Sequence, residues 1–139
     1  MKKLVAASVG VLVMSAGLVA SPGTAAQADP YPGTVATTTT AVSAAKVKRN
    51  RTANVCGKVT VTSGTGTPVG TLTITVTRKS GGFSQSDSFN YAGGTVCLRT
   101  KKLKKLGKYV GEVAFTAKAG TVFKSSSDST RFKVVKPSR

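Results

Sequence analysis

The chain has 139 residues, of which 21 are Lys or Arg, four are Asp or Glu and none is His, for a net charge of +17. The lack of histidine removes the commonest general base at neutral pH and most zinc sites, and the four carboxylates are too scattered for a calcium loop. A field of this sign and size attracts polyanions over long range; the bland alternative is that it only maintains solubility.

Lys2 and Lys3 precede an almost wholly apolar run from Leu4 to Ala20, and Ala26-Gln27-Ala28 offers a small-residue cleavage site. Residues 1–28 therefore read as a secretory signal peptide. The run is short, rich in Ala and Gly, and lacks a stop-transfer charge cluster, which argues against a membrane anchor. No integral membrane span is expected after the signal is removed. The expected location is extracellular, including association with the cell wall. Residues 29–36, with Pro30 and Pro32, read as a flexible leader. Residues 37–139 are enough for one domain with its own core.

The first strand is expected within 37–47, beginning with the threonine run Thr37 to Thr40. Lys46-Val47-Lys48-Arg49-Asn50-Arg51 then makes a basic turn. From Val55 to Thr62 the odd positions are apolar or small and the even ones mostly polar, so a strand here turns Cys56 outward. Ser63 to Gly70 is a loop rich in Gly and Pro. In Thr71 to Thr77, Leu72, Ile74 and Val76 point one way and four threonines the other. Arg78 to Gly82 turns the chain, and in Ser86 to Ala92 the rings of Phe89 and Tyr91 share a face. In Gly94 to Thr100, Val96 and Leu98 form the apolar set, so Cys97 also faces outward. Thr100 to Leu106 is the one stretch with helical spacing, with Leu103 and Leu106 on one face. Tyr109, Val113 and Phe115 are the inward residues of the next strand. Thr116 to Ser129 is a Ser-rich connection with Phe123 at the core's edge. Phe132 and Val134 face inward in the last strand. Seven short strands with regular turn signals argue for an all-β sandwich.

Two cysteines in a secreted chain favour a disulfide, and without a C-x-x-C pair redox catalysis is not indicated. Oxidised cysteines leave no thiol nucleophile. The serines lie in turn-like runs without a partner base, and Ser63 to Gly70 lacks the phosphate-loop pattern. The chain thus reads as non-enzymatic, with no cofactor and no metal.

Residues Thr37 to Lys136 resemble the bacterial immunoglobulin-like domains that occur as repeats in secreted and surface proteins of Gram-positive bacteria. The resemblance is carried by Gly66-Thr67-Pro68-Val69-Gly70-Thr71-Leu72-Thr73-Ile74, by Leu106-Gly107-Lys108-Tyr109 entering Val113-Ala114-Phe115, and by Gly120 through Phe123 to a serine run and Phe132-Lys133-Val134. This chain departs from the pattern in carrying a single copy, a cysteine pair and an unusually basic balance. The resemblance implies an immunoglobulin-like β-sandwich of about seven antiparallel strands, with A near 37–47, B 53–62, C 71–78, D 86–91, E 94–100, F 108–117 and G 130–136. On that lettering Cys56 and Cys97 form a B–E disulfide on the outer face, with Lys58 and Arg99 beside it. Tyr109 falls where a tyrosine corner would bond back toward the E–F connection.

The same topology brings the A–B, C–D and E–F connections to one pole. There it would gather Lys46, Lys48, Arg49 and Arg51, then Arg78 and Lys79, then Lys101, Lys102, Lys104, Lys105 and Lys108. Lysines predominate in the E–F stretch, which suits diffuse attraction rather than bidentate recognition. The expected partners are anionic wall or surface polymers. Nucleic acid is a non-specific option, since no nucleic-acid signature or aromatic stacking platform accompanies the charge. A protein-binding adhesion or inhibitor module, using the neutral pole or the threonine face, is the alternative, and a membrane-active toxin-like protein a weaker one.

Overall fold

The period-two patterns assemble into eight strands and two sheets in a computed structural model that describes residues 33–139. Residues 1–28, read above as a signal peptide, and the first part of the expected leader lie outside the described residues. The strands are β1 (Thr37–Ser43), β2 (Lys46–Lys48), β3 (Asn54–Val61), β4 (Gly70–Arg78), β5 (Ser84–Tyr91), β6 (Thr95–Arg99), β7 (Gly107–Ala117) and β8 (Ser126–Val135). One sheet has the order β1-β3-β6 and the other β2-β8-β7-β4-β5. Among the described residues no helix forms.

The inward sets are those that alternation predicts. Leu72, Ile74 and Val76 on β4 are buried, as are Tyr109, Val113 and Phe115 on β7 and Phe132 and Val134 on β8. Val55 and Val59 face them from β3. Two glycines let the sheets interlock. A Cβ on Gly57 would stand 2.4 Å from Val113 Cγ1, and one on Gly111 would stand 2.7 Å from Val55 Cγ1. Each sheet therefore offers one missing side chain to a valine of the other.

The neighbours of Gly57 along β3 follow from this packing. Val55 and Gly57 point inward, so Cys56 must point out. It stands directly opposite Cys97 on β6, and the two form a disulfide with a Cα–Cα distance of 4.0 Å. Lys58 and Arg99 are exposed on the same outer face.

Three expectations are modified. The first strand does not run unbroken from 37 to 47: the chain crosses at Ala44-Ala45, and β2 joins the other sheet parallel to β8, with Lys133 N–H donating to Ala45 O at 3.0 Å. The strands are therefore not all antiparallel. The strand lettered D pairs with β4 at the edge of the five-stranded sheet. The connection over residues 79–83 closes a hairpin between these antiparallel neighbours. Gly81 and Gly82 take φ of 79° there, and Gly81 N–H bonds Arg78 O. Residues 100–106 are extended rather than helical, and Leu103 is fully buried while Leu106 is half-buried. Finally, the end of the leader is tied down: Val35 N–H bonds Val122 O at 2.8 Å, and Lys124 N–H bonds Val35 O at 2.9 Å. Phe123 is half-buried there, its ring against Gly66.

One side of the sandwich is closed by hydroxyls. Thr37 and Thr39 on β1 each lie 2.7 Å from Ser126 Oγ on β8, and Ser43 pairs with Thr130 at 3.0 Å. On the same edge Ala41 N–H donates to Asp128 Oδ2 at 2.9 Å. A carboxylate thus occupies an edge donor that would otherwise be open to another strand.

Gly57→Ala should destabilise the fold by about 1–3 kcal/mol in denaturant titration, because the added methyl collides with Val113. The disulfide closes a 41-residue separation, so replacing both cysteines by Ala should cost about 4 kcal/mol on a chain-entropy estimate. The strand signal in circular dichroism should survive, since the staple lies outside the core.

Candidate functional site

The connections that leave the two sheets at one end are bonded to one another through their backbones. After β2, Arg49 N–H donates to Val135 O at 2.8 Å. The turn then uses Asn50 at φ 64°, a left-handed conformation that Asn tolerates better than most residues. Asn50 N–H donates to Leu103 O at 2.8 Å, and Leu103 N–H donates to Arg51 O at 2.9 Å. Thr100 N–H bonds Ala53 O, and the buried Thr100 hydroxyl accepts from Ala53 N–H, both at 2.8 Å. The lysine-rich connection between β6 and β7 is thus pinned by Leu103 in the core and by the β2–β3 turn along its flank. Lys101, Lys102, Lys104 and Lys105, which flank Leu103 in two pairs, are left exposed.

The β4–β5 hairpin joins the same end. Lys79 N–H donates to Lys108 O at 2.9 Å. Arg78 turns its guanidinium inward: Nε and Nη2 reach Leu106 O at 3.1 and 2.9 Å, and Nη1 reaches Gly81 O at 3.1 Å. Of the expected basic residues, Arg78 therefore acts as a brace between two connections, whereas Lys46, Lys48, Arg49, Arg51, Lys79 and Lys108 are exposed. The structure brings all of these connections to one end. The opposite connections carry Lys118 and Lys124 and are otherwise nearly neutral.

Tyr109 is the internal support of this end. Its ring stacks on Phe132 at 5.4 Å and meets the edge of Phe83 at 5.7 Å. Its hydroxyl donates to Lys105 O at 2.8 Å, the corner bond that its sequence position implied. Burial pushes this hydroxyl above its ordinary ionisation range, and the charge of Arg78 partly offsets that. At the far end Tyr91 does a similar job: it donates to Gly94 O at 2.8 Å and accepts from Val59 N–H at 2.9 Å. It thereby ties β5 to the opposite sheet.

Two cations at this end were not among the expected site residues. Arg131 and Lys133 alternate with the buried Phe132 and Val134 on β8, so both face solvent. That alternation was visible in the sequence. What was not visible is their pairing: Lys133 stands opposite Lys108 on one side and Lys46 on the other, and Arg131 stands opposite Val110. A cavity of about 290 Å³ lies among Lys79, Lys108, Val110, Arg131 and Lys133. A larger hollow of about 560 Å³ at the opposite end, among Val69, Thr71, Asn90, Thr116 and Lys118, has one cation and no reactive group. Among the described residues no three His, Cys, Asp or Glu side chains gather as metal ligands would.

No family model and no curated protein matches the chain. Among solved structures, a superoxide reductase (neelaredoxin) from Ignicoccus hospitalis aligns at 16% identity with a TM-score of 0.48, over 70% of this chain and 80% of that one. The alkylpurine DNA glycosylase AlkC of Pseudomonas fluorescens, bound to DNA containing an abasic site analogue, aligns at 14% identity with a TM-score of 0.38, over 75% of this chain and 31% of that one. Overlap at this level carries no inference about chemistry.

The raised Tyr109 ionisation has a definite sign. The unfolded chain releases this proton near the ordinary tyrosine value of about 10, and the folded chain only above it. The resulting stabilisation is complete below that pH and is lost as pH rises through the folded value. Tyr109→Phe should therefore lose about 0.5–1.5 kcal/mol at neutral pH, the worth of one hydrogen bond. Its stability should also decline less steeply than the parent's above pH 10, as followed by thermal melts across pH.

Proposed function

We propose that the chain is a secreted, non-enzymatic immunoglobulin-like domain that binds anionic cell-surface or wall polymers through its basic end. The observation that carries this reading is the convergence of three cationic connections, held by backbone bonds, at one end of the sandwich. The fold reading is supported by the cross-strand staple between β3 and β6, the positions lettered B and E, and by the Tyr109 corner bond to the connection preceding β7. The strand after β4 pairs as an extra strand of the five-stranded sheet, so the match is to a variant of the two-sheet plan rather than to the seven-strand form. Exposed lysines are hydrated point charges on flexible stems. They suit a polymer with repeated negative groups better than a single small anion.

Retention on immobilised anionic polymer should fall steeply with salt, because binding releases counterions and surface charges are screened. Replacing Lys101, Lys102, Lys104 and Lys105 together with Gln should weaken retention and flatten the salt dependence. Retention indifferent to ionic strength would sink the proposal. A protein-binding reading is favoured by one feature, Val42, which is 57% exposed beside the disulfide-floored hollow on the outer face of β1-β3-β6. Partner capture that persists at high salt would point to that face.

A further inference from the structure

The outer face of the five-stranded sheet carries a lateral row of like charges. Lys46 on β2 is in register with Lys133 on β8, and Lys133 with Lys108 on β7. Lys79, just past β4, continues the row through its backbone bond to Lys108. Neighbouring strands lie about 4.8 Å apart, so the four cations span about 14 Å. Arg131 stands in the next row, across the cavity floored by Val110. No acidic residue occupies these positions. Like charges directly opposite one another destabilise a sheet, and this row holds them on successive strands.

Beyond the lysines, β4, β5 and β8 present mostly hydroxyls on that face, while β7 between them presents Val110, Glu112 and Ala114. Thr77 pairs with Ser84, Thr75 with Ser86 and Thr73 with Ser88. The hydroxyls of Thr75 and Ser86 lie 2.7 Å apart, and those of Thr73 and Ser88 lie 2.9 Å apart. Across β7 and β8 the lattice meets Ser127 and Ser129, with one carboxylate, Glu112, two rows from the lysines. The face therefore offers repeated cations at one end and repeated hydrogen-bonding hydroxyls beyond them.

The geometry points to this face as the docking track for a linear polymer of polyol or sugar units joined by phosphodiesters. The lysine row and Arg131 would take the phosphates, and the Thr/Ser lattice the hydroxyls between them. This rests on the polyanion reading above and sharpens it in two ways. It moves the specific contacts from the β6–β7 connection to the sheet face, and it adds Lys133 and Arg131 to the site. It also explains why the chain tolerates a lysine row that its own stability opposes: a bound phosphate chain supplies the missing negative charge.

The test is equilibrium binding of the purified protein to poly(glycerol phosphate), to inorganic polyphosphate and to uncharged dextran, with melting curves at low salt. Lys108→Gln with Lys133→Gln should lower affinity for poly(glycerol phosphate) by about tenfold and reduce the salt slope by about one unit per lysine. The same variant should melt higher than the parent when no polymer is present. Lys118→Gln with Lys124→Gln, on the opposite connections, should change affinity by less than about threefold, the effect of distant charges under screening. Thr75→Val with Thr77→Val, which preserves side-chain shape, should weaken poly(glycerol phosphate) binding while leaving inorganic polyphosphate unaffected. Dextran should not bind. Equal losses from the two lysine pairs would overturn the track while leaving diffuse polyanion binding intact. A Lys108→Gln/Lys133→Gln variant that melts no higher than the parent would overturn the opposed-charge argument. Equal effects of the threonine pair on both phosphate polymers, or none on either, would overturn the polyol assignment. Failure of the parent to bind any polyanion would remove both proposals.

Discussion

The reciprocal fit of Val113 over Gly57 and Val55 over Gly111 is the contact on which the rest of the structure depends. It sets how closely the two sheets approach and locks their faces against each other, since a side chain at either glycine would collide with the opposing valine. Burial of Leu72, Ile74, Val76 and Phe115 around it supplies the apolar area that drives folding. The position of the disulfide is a consequence. With Val55 and Gly57 turned inward, Cys56 has only the outer face, where Cys97 meets it across the strand pair. The staple thus restrains one sheet without entering the core.

The ends of the sandwich are organised by a different device, the tyrosine hydroxyl that reaches a backbone carbonyl. Tyr109 holds Lys105 O, and Tyr91 holds Gly94 O while receiving Val59 N–H. Leu103 adds a plug under the longest cationic connection. Its own N–H and C=O pair with Arg51 and Asn50, so burying it leaves neither backbone group without a partner. The lysines on either side are held outward by this anchoring. Charge polarity in this protein is therefore built by hydrophobic and hydrogen-bonding elements, and the cations themselves contribute repulsion. Arg78 is the exception, spending its guanidinium on the carbonyls of Leu106 and Gly81.

The two broad faces differ correspondingly. The three-stranded sheet is stapled and is sealed against β8 by the Thr37, Thr39 and Ser43 hydroxyls and by Asp128. The five-stranded sheet leaves its outer face uncovered, with lysines at one end, hydroxyls along β4 and β5, and Glu112 on β7. A neutral partner would gain little from the lysine row, whereas a polymer with spaced negative charges would relieve it. That difference favours the five-stranded face as the place where the charge of the chain has a use.

Much of this was present in local pattern. Alternation alone placed Leu72, Ile74 and Val76 inward, turned Cys56 and Cys97 outward, and assigned Tyr109, Val113 and Phe115 to the core, because a strand's period of two depends only on its own residues. The excess of lysine and the absence of histidine likewise bound the chemistry without any structure. Sheet membership and register were decided elsewhere. The crossing at Ala44-Ala45 that sends β2 to β8, the burial of Leu103 in a segment whose leucine spacing suggested a helix, and the alignment of Lys46, Lys133 and Lys108 all depend on pairings between residues far apart in the chain. Residues 46, 108 and 133 become neighbours only when three strands are hydrogen-bonded in one register. Sequence by itself determined which way the side chains of the alternating strands point; tertiary structure alone decided which of them stand side by side, because facing is a property of one strand and adjacency a property of several.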